Sequence, residues 1–238
     1  RDRLRSRGLG DVYKRQTVVY TIAVVLIITA IALLLAVWLN EKSTKLNRLV
    51  QAAVFCPHVV SIVSIALIWL WMMEPNFGLF NFLLRKLGLP TSSWLSGSST
   101  AMPSVILVSV WKAVGYDTLI FMAALQGVPA SLYEAARLDN ANKVVMFFKI
   151  TLPMISPQLF FTLIIRTISS FKVFDTVRIL TQGGPNNATT TLVYSIYTEA
   201  LLNLRIGYSA AIGVILLLIV SILTIIYFWG FSRKVHYQ

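Results

Sequence analysis

The chain has 238 residues, of which 57% are hydrophobic and only 13% are charged. Soluble domains carry about 25% charged residues, so this composition argues against a soluble domain and predicts a polytopic membrane protein. The formal net charge is +12. The basic residues are spread over loops between apolar runs, which membrane topology explains better than nucleic-acid binding. The single cysteine, Cys56, excludes an internal disulfide and a cysteine metal cluster.

Residues 1–16 (RDRLRSRGLGDVYKRQ) differ from the rest of the chain because they are arginine-rich and lack apolar periodicity. They do not resemble a secretory signal, since no short apolar stretch with a cleavage site follows them. The segment resembles translated sequencing-adaptor read-through, and we interpret it as a non-native basic segment. A genuine basic arm is the alternative. Residues 17–238 are then predicted to form one membrane domain.

Five apolar runs follow, each close to the length of about 20 residues that a transmembrane helix needs. Pro57 interrupts the second run, so a kink is expected there. Between the second and third runs, residues 81–87 are predicted to form a short surface helix. The fold class is therefore all-α, a polytopic membrane helical bundle with five transmembrane helices. The runs cover residues 18–39, 49–73, 103–125, 158–180 and 208–231.

The polar segment 127–157 separates the third and fourth runs and has a helical pattern of its own. Residues 129–138 favour a short helix with Pro129 in its first turn. Asn140 stands where a left-handed residue would end that helix. A second helical piece is predicted over residues 141–151. On the first helix, one side would carry four residues by i, i+3 and i+4 spacing: Leu132, Ala135, Ala136 and Asp139.

This segment carries a family resemblance. Glu134-Ala135-Ala136, then Asp139, then ITLP at 150–153 resembles the cytoplasmic "EAA" loop of ABC importer permeases. Trp111-Lys112, SFKVFD at 170–175 and LTQGGP at 180–185 are similar to the branch that imports maltose-like sugars and glycerol phosphate. The similarity runs from about residue 17 to the C-terminus. One departure is Asn140, where the family usually has glycine.

The resemblance implies that segment 127–157 is a coupling loop, which docks a partner ATPase. It also implies that a first transmembrane helix is missing, because the family usually has six. The residues that would couple the chain to the ATPase are Glu134, Ala135, Ala136, Asp139, Asn140, Ile150, Leu152 and Pro153.

Ionisable residues at membrane depth are costly, so they normally face a cavity or a partner. Lys112 lies in the third run, and Lys172 and Asp175 lie in the fourth, where their spacing would let them share one helix face. One interpretation is a polar lining of the substrate path. The alternative is a set of interhelical pairs and snorkelling side chains. The runs also carry Asp117, Arg166 and Arg178.

The distribution of basic residues predicts the orientation. The loops 40–48 and 126–157 and the tail 232–238 share one side and hold eight basic residues, whereas the opposite loops hold three. The positive-inside rule places the coupling loop and the C-terminus in the cytoplasm. The eight residues are Lys42, Lys45, Arg48, Arg137, Lys143, Lys149, Arg233 and Lys234; the three are Arg85, Lys86 and Arg205.

The chain lacks the GxxxxGK[ST] phosphate loop and the HExxH, CxxC and GxSxG motifs, so we predict a transport subunit without enzymatic activity, metal site or cofactor. The resemblance implies a bacterial inner-membrane importer of a sugar or polyol. Its expected partners are an ABC ATPase dimer carrying ATP and magnesium, a second and unlike permease, and an extracytoplasmic solute-binding protein. An ATP-independent secondary transporter or channel is the alternative.

Overall fold

The computed structural model describes residues 2–40 and 45–231, and every regular element in those residues is helical. The all-α prediction is confirmed. The helices in the first part of the chain are α1 (Asp2–Asn40), α2 (Lys45–Val59), α3 (Ile62–Met72), α4 (Leu79–Lys86) and α5 (Ala101–Gln126).

Short helices follow in the segment after α5. They are α6 (Ala130–Leu138), α7 (Lys143–Met146) and α8 (Leu152–Met154), with a π-helical turn at Phe147–Thr151 between the last two. The wider turn lies just before Pro153, which has no N–H to donate to the carbonyl four residues earlier.

The last part of the chain contains α9 (Ser156–Phe171), α10 (Asp175–Leu180), α11 (Leu192–Tyr197) and α12 (Ile206–Phe231). A π-helical turn, Thr198–Leu202, extends α11.

Within the described residues, three helical stretches are long and apolar enough to cross a membrane, namely Val12–Asn40, Ala101–Gln126 and Ile206–Gly230. The same residues hold up to five spans if each of two bent pairs counts as one. One pair is α2 with α3, bent by 102°; the other joins Lys143–Met154 to Ser156–Leu180 at 70°. The five apolar runs are all helical, but two of them are broken: the second run between α2 and α3, and the fourth run between α9 and α10.

The first helix is longer than the apolar run predicted for it. Helix α1 passes residue 17 without interruption, so the change in composition there is not an end of secondary structure. Thr17 is fully buried and accepts a hydrogen bond from the Leu192 amide at 2.9 Å, which connects α1 to the start of α11.

Helix α5 lies at the centre of the fold, and α1 packs along its length. Both contribute to two apolar cores, one shared with α3 and α10 and one shared with α2 and the start of α9. Helix α1 also contributes Tyr13 to a third core, with residues of α9, α11 and α12. Most of α12 is exposed. The first core includes Val24, Ile28, Ile65, Val105, Val108 and Val177; the second includes Ala32, Ala36, Val114, Phe121 and Ile155.

The predicted surface helix at 81–87 is present as α4, two residues earlier. Asn81 is almost completely buried and organises the surrounding segment. Its amide nitrogen donates to the carbonyls of Pro75 and Ser92, both at 2.8 Å. Its amide oxygen accepts from the Ser92 amide at 3.1 Å and the Trp94 indole at 2.8 Å. These hydrogen bonds satisfy the buried Asn81 side chain and fix the conformation of the surrounding segment.

Candidate functional site

The coupling-loop segment contains a helix with a well-defined end. Helix α6 begins after Pro129, which stands at the N-cap rather than inside the first turn. Asn140 has a φ of 53°, so the predicted left-handed residue is confirmed. The Asn140 amide donates to the Arg137 carbonyl at 3.1 Å, and the Ala141 amide donates to the Ala136 carbonyl at 2.9 Å. This pattern is a Schellman motif.

The second helical piece starts two residues later than predicted. The Asn142 side chain accepts a hydrogen bond from the Val145 amide at 2.8 Å and caps α7. The hydroxyl groups of Tyr133 and Thr151 lie 3.0 Å apart and connect α6 to the end of the second piece. The Schellman motif and this hydroxyl contact hold α6 and the second helical piece together as one unit.

The eight predicted coupling residues fall into two groups. Glu134, Ala135, Asp139 and Asn140 are exposed around α6, with Ala136 half-buried beside them. The other three are half-buried at the base of the loop, where it meets α9: Ile150, Leu152 and Pro153. The first group faces outward, whereas the second connects the loop to a span.

Sequence reasoning placed Leu132 on one side of α6 but missed the other exposed apolar side chains in the same segment. Leu138 is 85% exposed, although it lies on a short helix in a polar loop. Outside the apolar spans, large exposed apolar side chains are candidates for contact with another surface. We call these residues the apolar loop set; they are Leu132, Leu138, Val144, Val145 and Phe148. The exposed position of Leu138 near the end of a short helix and the apolar run VVMFF at 144–148 were the available signals.

A cavity of about 240 Å³ lies between this unit and the ends of α1 and α5. Asn40, Leu125, Tyr133 and Phe147 are among its lining residues. The loop therefore has free space behind it.

Lys112 lies at the break between α2 and α3. Its ammonium group donates to the carbonyls of Pro57 at 3.2 Å, His58 at 3.3 Å and Val60 at 2.8 Å. The sequence left two interpretations of Lys112, a lining of the substrate path or an interhelical contact. These hydrogen bonds match the interhelical contact.

The expectation that Lys172 and Asp175 share a helix face is wrong. Helix α9 ends at Phe171, Lys172 is its C-cap, and Asp175 is the first residue of α10. Both side chains are exposed. Periodicity could not reveal this break, because the apolar run continues across it.

Sequence reasoning also missed that two ionisable residues of α5 and α9 form an ion pair. The Arg166 Nε donates to Asp117 Oδ2 at 3.0 Å, and its Nη2 donates to the other carboxylate oxygen. Asp117 is buried, with its side chain 1% exposed. Both residues were recognised as ionisable groups within spans, but 49 positions separate them and no sequence pattern connects them.

Residues 28–235 match the family described as "Binding-protein-dependent transport system inner membrane component". The chain belongs to this family. The match extends over most of the chain, including α5, the coupling-loop segment and all later described helices.

Relatives of this inner-membrane component include permeases named for glycerol phosphate. The sn-glycerol-3-phosphate transport system permease protein UgpA of Yersinia pestis bv. Antiqua (strain Antiqua) is 44% identical over 197 residues, covering 81% of this chain and 65% of the relative. UgpA of Brucella suis biovar 1 (strain 1330) is 36% identical over 229 residues, covering 93% of this chain and 75% of that protein. The chain thus spans about two thirds of the length of the Yersinia relative.

A solved structure has a closely similar fold. It is titled as a bacterial alginate ABC transporter in complex with alginate pentasaccharide-bound periplasmic protein. Its matching chain has a TM-score of 0.85 and 27% identity, with 92% of this chain and 77% of that chain covered. An amino acid ABC transporter shares the fold at a TM-score of 0.58 and 13% identity.

Proposed function

We propose that this chain is the transmembrane permease subunit of an ATP-driven ABC importer for a sugar or related polyol. The observation that carries the proposal is α6, an exposed helix with exposed apolar residues, held outside the spans of an inner-membrane transport component. The relatives are named for sn-glycerol-3-phosphate and the structural neighbour for alginate. These names support a hydroxylated solute.

The coupling loop docks a partner ATPase dimer by placing α6 in a groove of that protein. Leu138 and Ala135 supply close apolar contact, while Glu134 and Asp139 lie beside them and can pair with charged groups. ATP and magnesium bind to the ATPase, and this chain binds neither.

Movement passes from the loop to the spans through a rigid connection. The Schellman turn and the Tyr133–Thr151 contact hold α6 and the second piece together, and α9 follows at Ser156. When the ATPase dimer closes on ATP, the loop moves as a rigid body and tilts the spans, which opens the path to the outside. The cavity behind the loop leaves room for this movement.

The substrate path lies between this chain and a second, unlike permease, and an extracytoplasmic solute-binding protein delivers the solute. Lys112, Lys172 and Asp175 contribute to its wall. The coupling loop and C-terminus face the cytoplasm of a bacterial cell, as the positive-inside rule predicts. Of the basic residues in that argument, Lys42, Arg233 and Lys234 lie outside the described residues.

Co-purification tests the docking claim. The chain is co-expressed with the partner permease and the ATPase, and the ATPase retained per permease is compared between variants. Ala135→Asp and Leu138→Asp place a charge in the apolar contact, and we expect about tenfold less ATPase, which corresponds to roughly 1.4 kcal/mol. Leu87→Asp is the matched control, because Leu87 is 73% exposed in the loop segment predicted to face the other side.

Retention of the ATPase by Leu138→Asp at the wild-type level would contradict the docking claim. Equal loss in Leu87→Asp would also contradict it, since the effect would then follow any added surface charge. Each variant is checked for membrane insertion before the comparison.

A further inference from the structure

The break between α2 and α3 leaves backbone carbonyls without helical partners. The last carbonyls of a helix have no N–H four residues ahead to accept from, and at membrane depth they need a donor from the protein or from the water of a cavity. Helix α2 ends at Val59 and α3 begins at Ile62. In a continuous helix, the carbonyls of residues 57, 58 and 60 would pair with the amides of residues 61, 62 and 64.

Lys112 supplies the missing donors from another helix. An ammonium group has three N–H donors, and the three carbonyls within its reach are those of Pro57, His58 and Val60, at 2.8–3.3 Å. The number of donors therefore matches the number of acceptors.

Two further residues of α5 hold the same end of α2. A Cβ at Gly115 would meet the Val54 backbone and lie 2.9 Å from Phe55 Cα, so the two backbones touch there. The His58 ring stacks on Tyr116 with centroids 4.7 Å apart. Lys112, Gly115 and Tyr116 are spaced i, i+3 and i+4, which places them along one side of α5.

Beyond the break, α3 stays in contact with α5 through the Trp69 and Trp111 rings, whose centroids lie 5.4 Å apart. It turns by 102° and packs against α10, the second half of the other broken span, with Ile65 and Val177 in one apolar core. The direction of α3, and with it the position of α10, depends on how the break is held.

We propose that Lys112 is a positioning residue that holds the α2–α3 bend by capping the broken end of α2. Lys112 then shapes the wall of the solute path by holding this bend. It does not offer its own positive charge to the solute. Without the ammonium group, the stranded carbonyls can be satisfied by the amides of residues 61, 62 and 64, so the span straightens. The claim concerns one span and requires no transport partner, so its failure would leave the proposed function untouched.

A distance measurement across the break tests the proposal. The full chain carries Cys56→Ser and spin labels on cysteines that replace Leu46 in α2 and Ile68 in α3, which are 64% and 56% exposed. In lipid nanodiscs, pulsed electron resonance gives the distance between the labels. A continuous helix would separate these positions by about 33 Å at 1.5 Å per residue, and the bend keeps them well below that value.

Three variants distinguish the loss of the Lys112 cap from a general loss of positive charge. Lys112→Met removes the donors, and we expect a longer-distance population shifted by about 10 Å toward the continuous-helix value. Lys112→Arg retains cationic donors and should restore the short distance. Lys172→Met is the matched control, because Lys172 is an exposed lysine at the break between α9 and α10, and it should leave the distance unchanged.

An unchanged distribution in folded Lys112→Met would overturn the proposal, as would an equal shift in Lys172→Met. If Lys112→Met yields no folded protein, Lys112→Gln is measured instead. Its side chain is shorter and its amide has two donors, so we expect a partial shift toward longer distances. A wild-type distribution in Lys112→Gln would overturn the proposal equally.

Discussion

At the scale of single residues, Gly115 marks a close approach between the backbones of α5 and α2. A Cβ there would contact the Val54 backbone, and the Val54 carbonyl carbon would lie 2.7 Å away. A backbone cannot rotate aside as a flexible side chain can, so α2 would have to shift.

We expect Gly115→Ala to destabilise the chain by roughly 1–3 kcal/mol, the usual cost of overpacking. Gly213→Ala is the control, because nothing lies within 4 Å of an added Cβ at Gly213 in α12. That variant should be neutral or stabilising by up to about 1 kcal/mol, since alanine is the better helix former. Detergent titration of unfolding compares the two, and equal effects in both variants would show that the α2–α5 contact is not tight.

The local residue predictions differ in outcome for a physical reason. Asn140 was identified from its own neighbourhood, because a Schellman turn needs only a left-handed residue after a helix. Lys172 and Asp175 were placed on one helix face by spacing, which assumes that the helix continues. The break between them depends on packing elsewhere, so spacing alone gave the wrong geometry.

At the scale of elements, the Asp117–Arg166 pair connects α5 to α9. Asp117 is buried and its carboxylate accepts two hydrogen bonds from the guanidinium group. A buried charge that loses its partner is strongly destabilising.

We expect Arg166→Met to lower the free energy of unfolding by about 3–5 kcal/mol, because it leaves the carboxylate without a counter-charge. The double variant Asp117→Leu/Arg166→Met should recover much of that loss, since it removes the unpaired charge. A double-mutant cycle of unfolding free energies checks this. Strictly additive effects of the two substitutions would contradict a coupled pair.

Hydropathy located all five apolar runs, but it did not show that two of them break. Apolar composition reports that a segment avoids water and carries no information about the direction of its axis. The position of Pro57 suggested a kink in the second run, yet the 102° bend involves contacts with Lys112, more than 50 residues away. Interactions at that separation cannot be read from the periodicity of one segment.

At the scale of the whole molecule, the chain combines a packed centre with an exposed loop at one end. Helices α1 and α5 supply the cores, the broken spans pack around them, and the coupling loop projects beyond with its apolar residues exposed. The family resemblance was available from sequence because its motifs are local. The apolar loop set was not, because exposure depends on which residues the folded loop leaves uncovered.

The central claim is that α6 contacts the ATPase, and site-specific photo-crosslinking tests it most directly. A photoreactive amino acid replaces Leu138, or Leu87 as the control in the loop segment predicted to face the other side, in the chain co-expressed with its partner permease and ATPase. We predict that illumination crosslinks position 138 to the ATPase and that position 87 gives no such product. A folded complex in which position 138 gives no ATPase product, or in which position 87 gives it instead, would contradict the account.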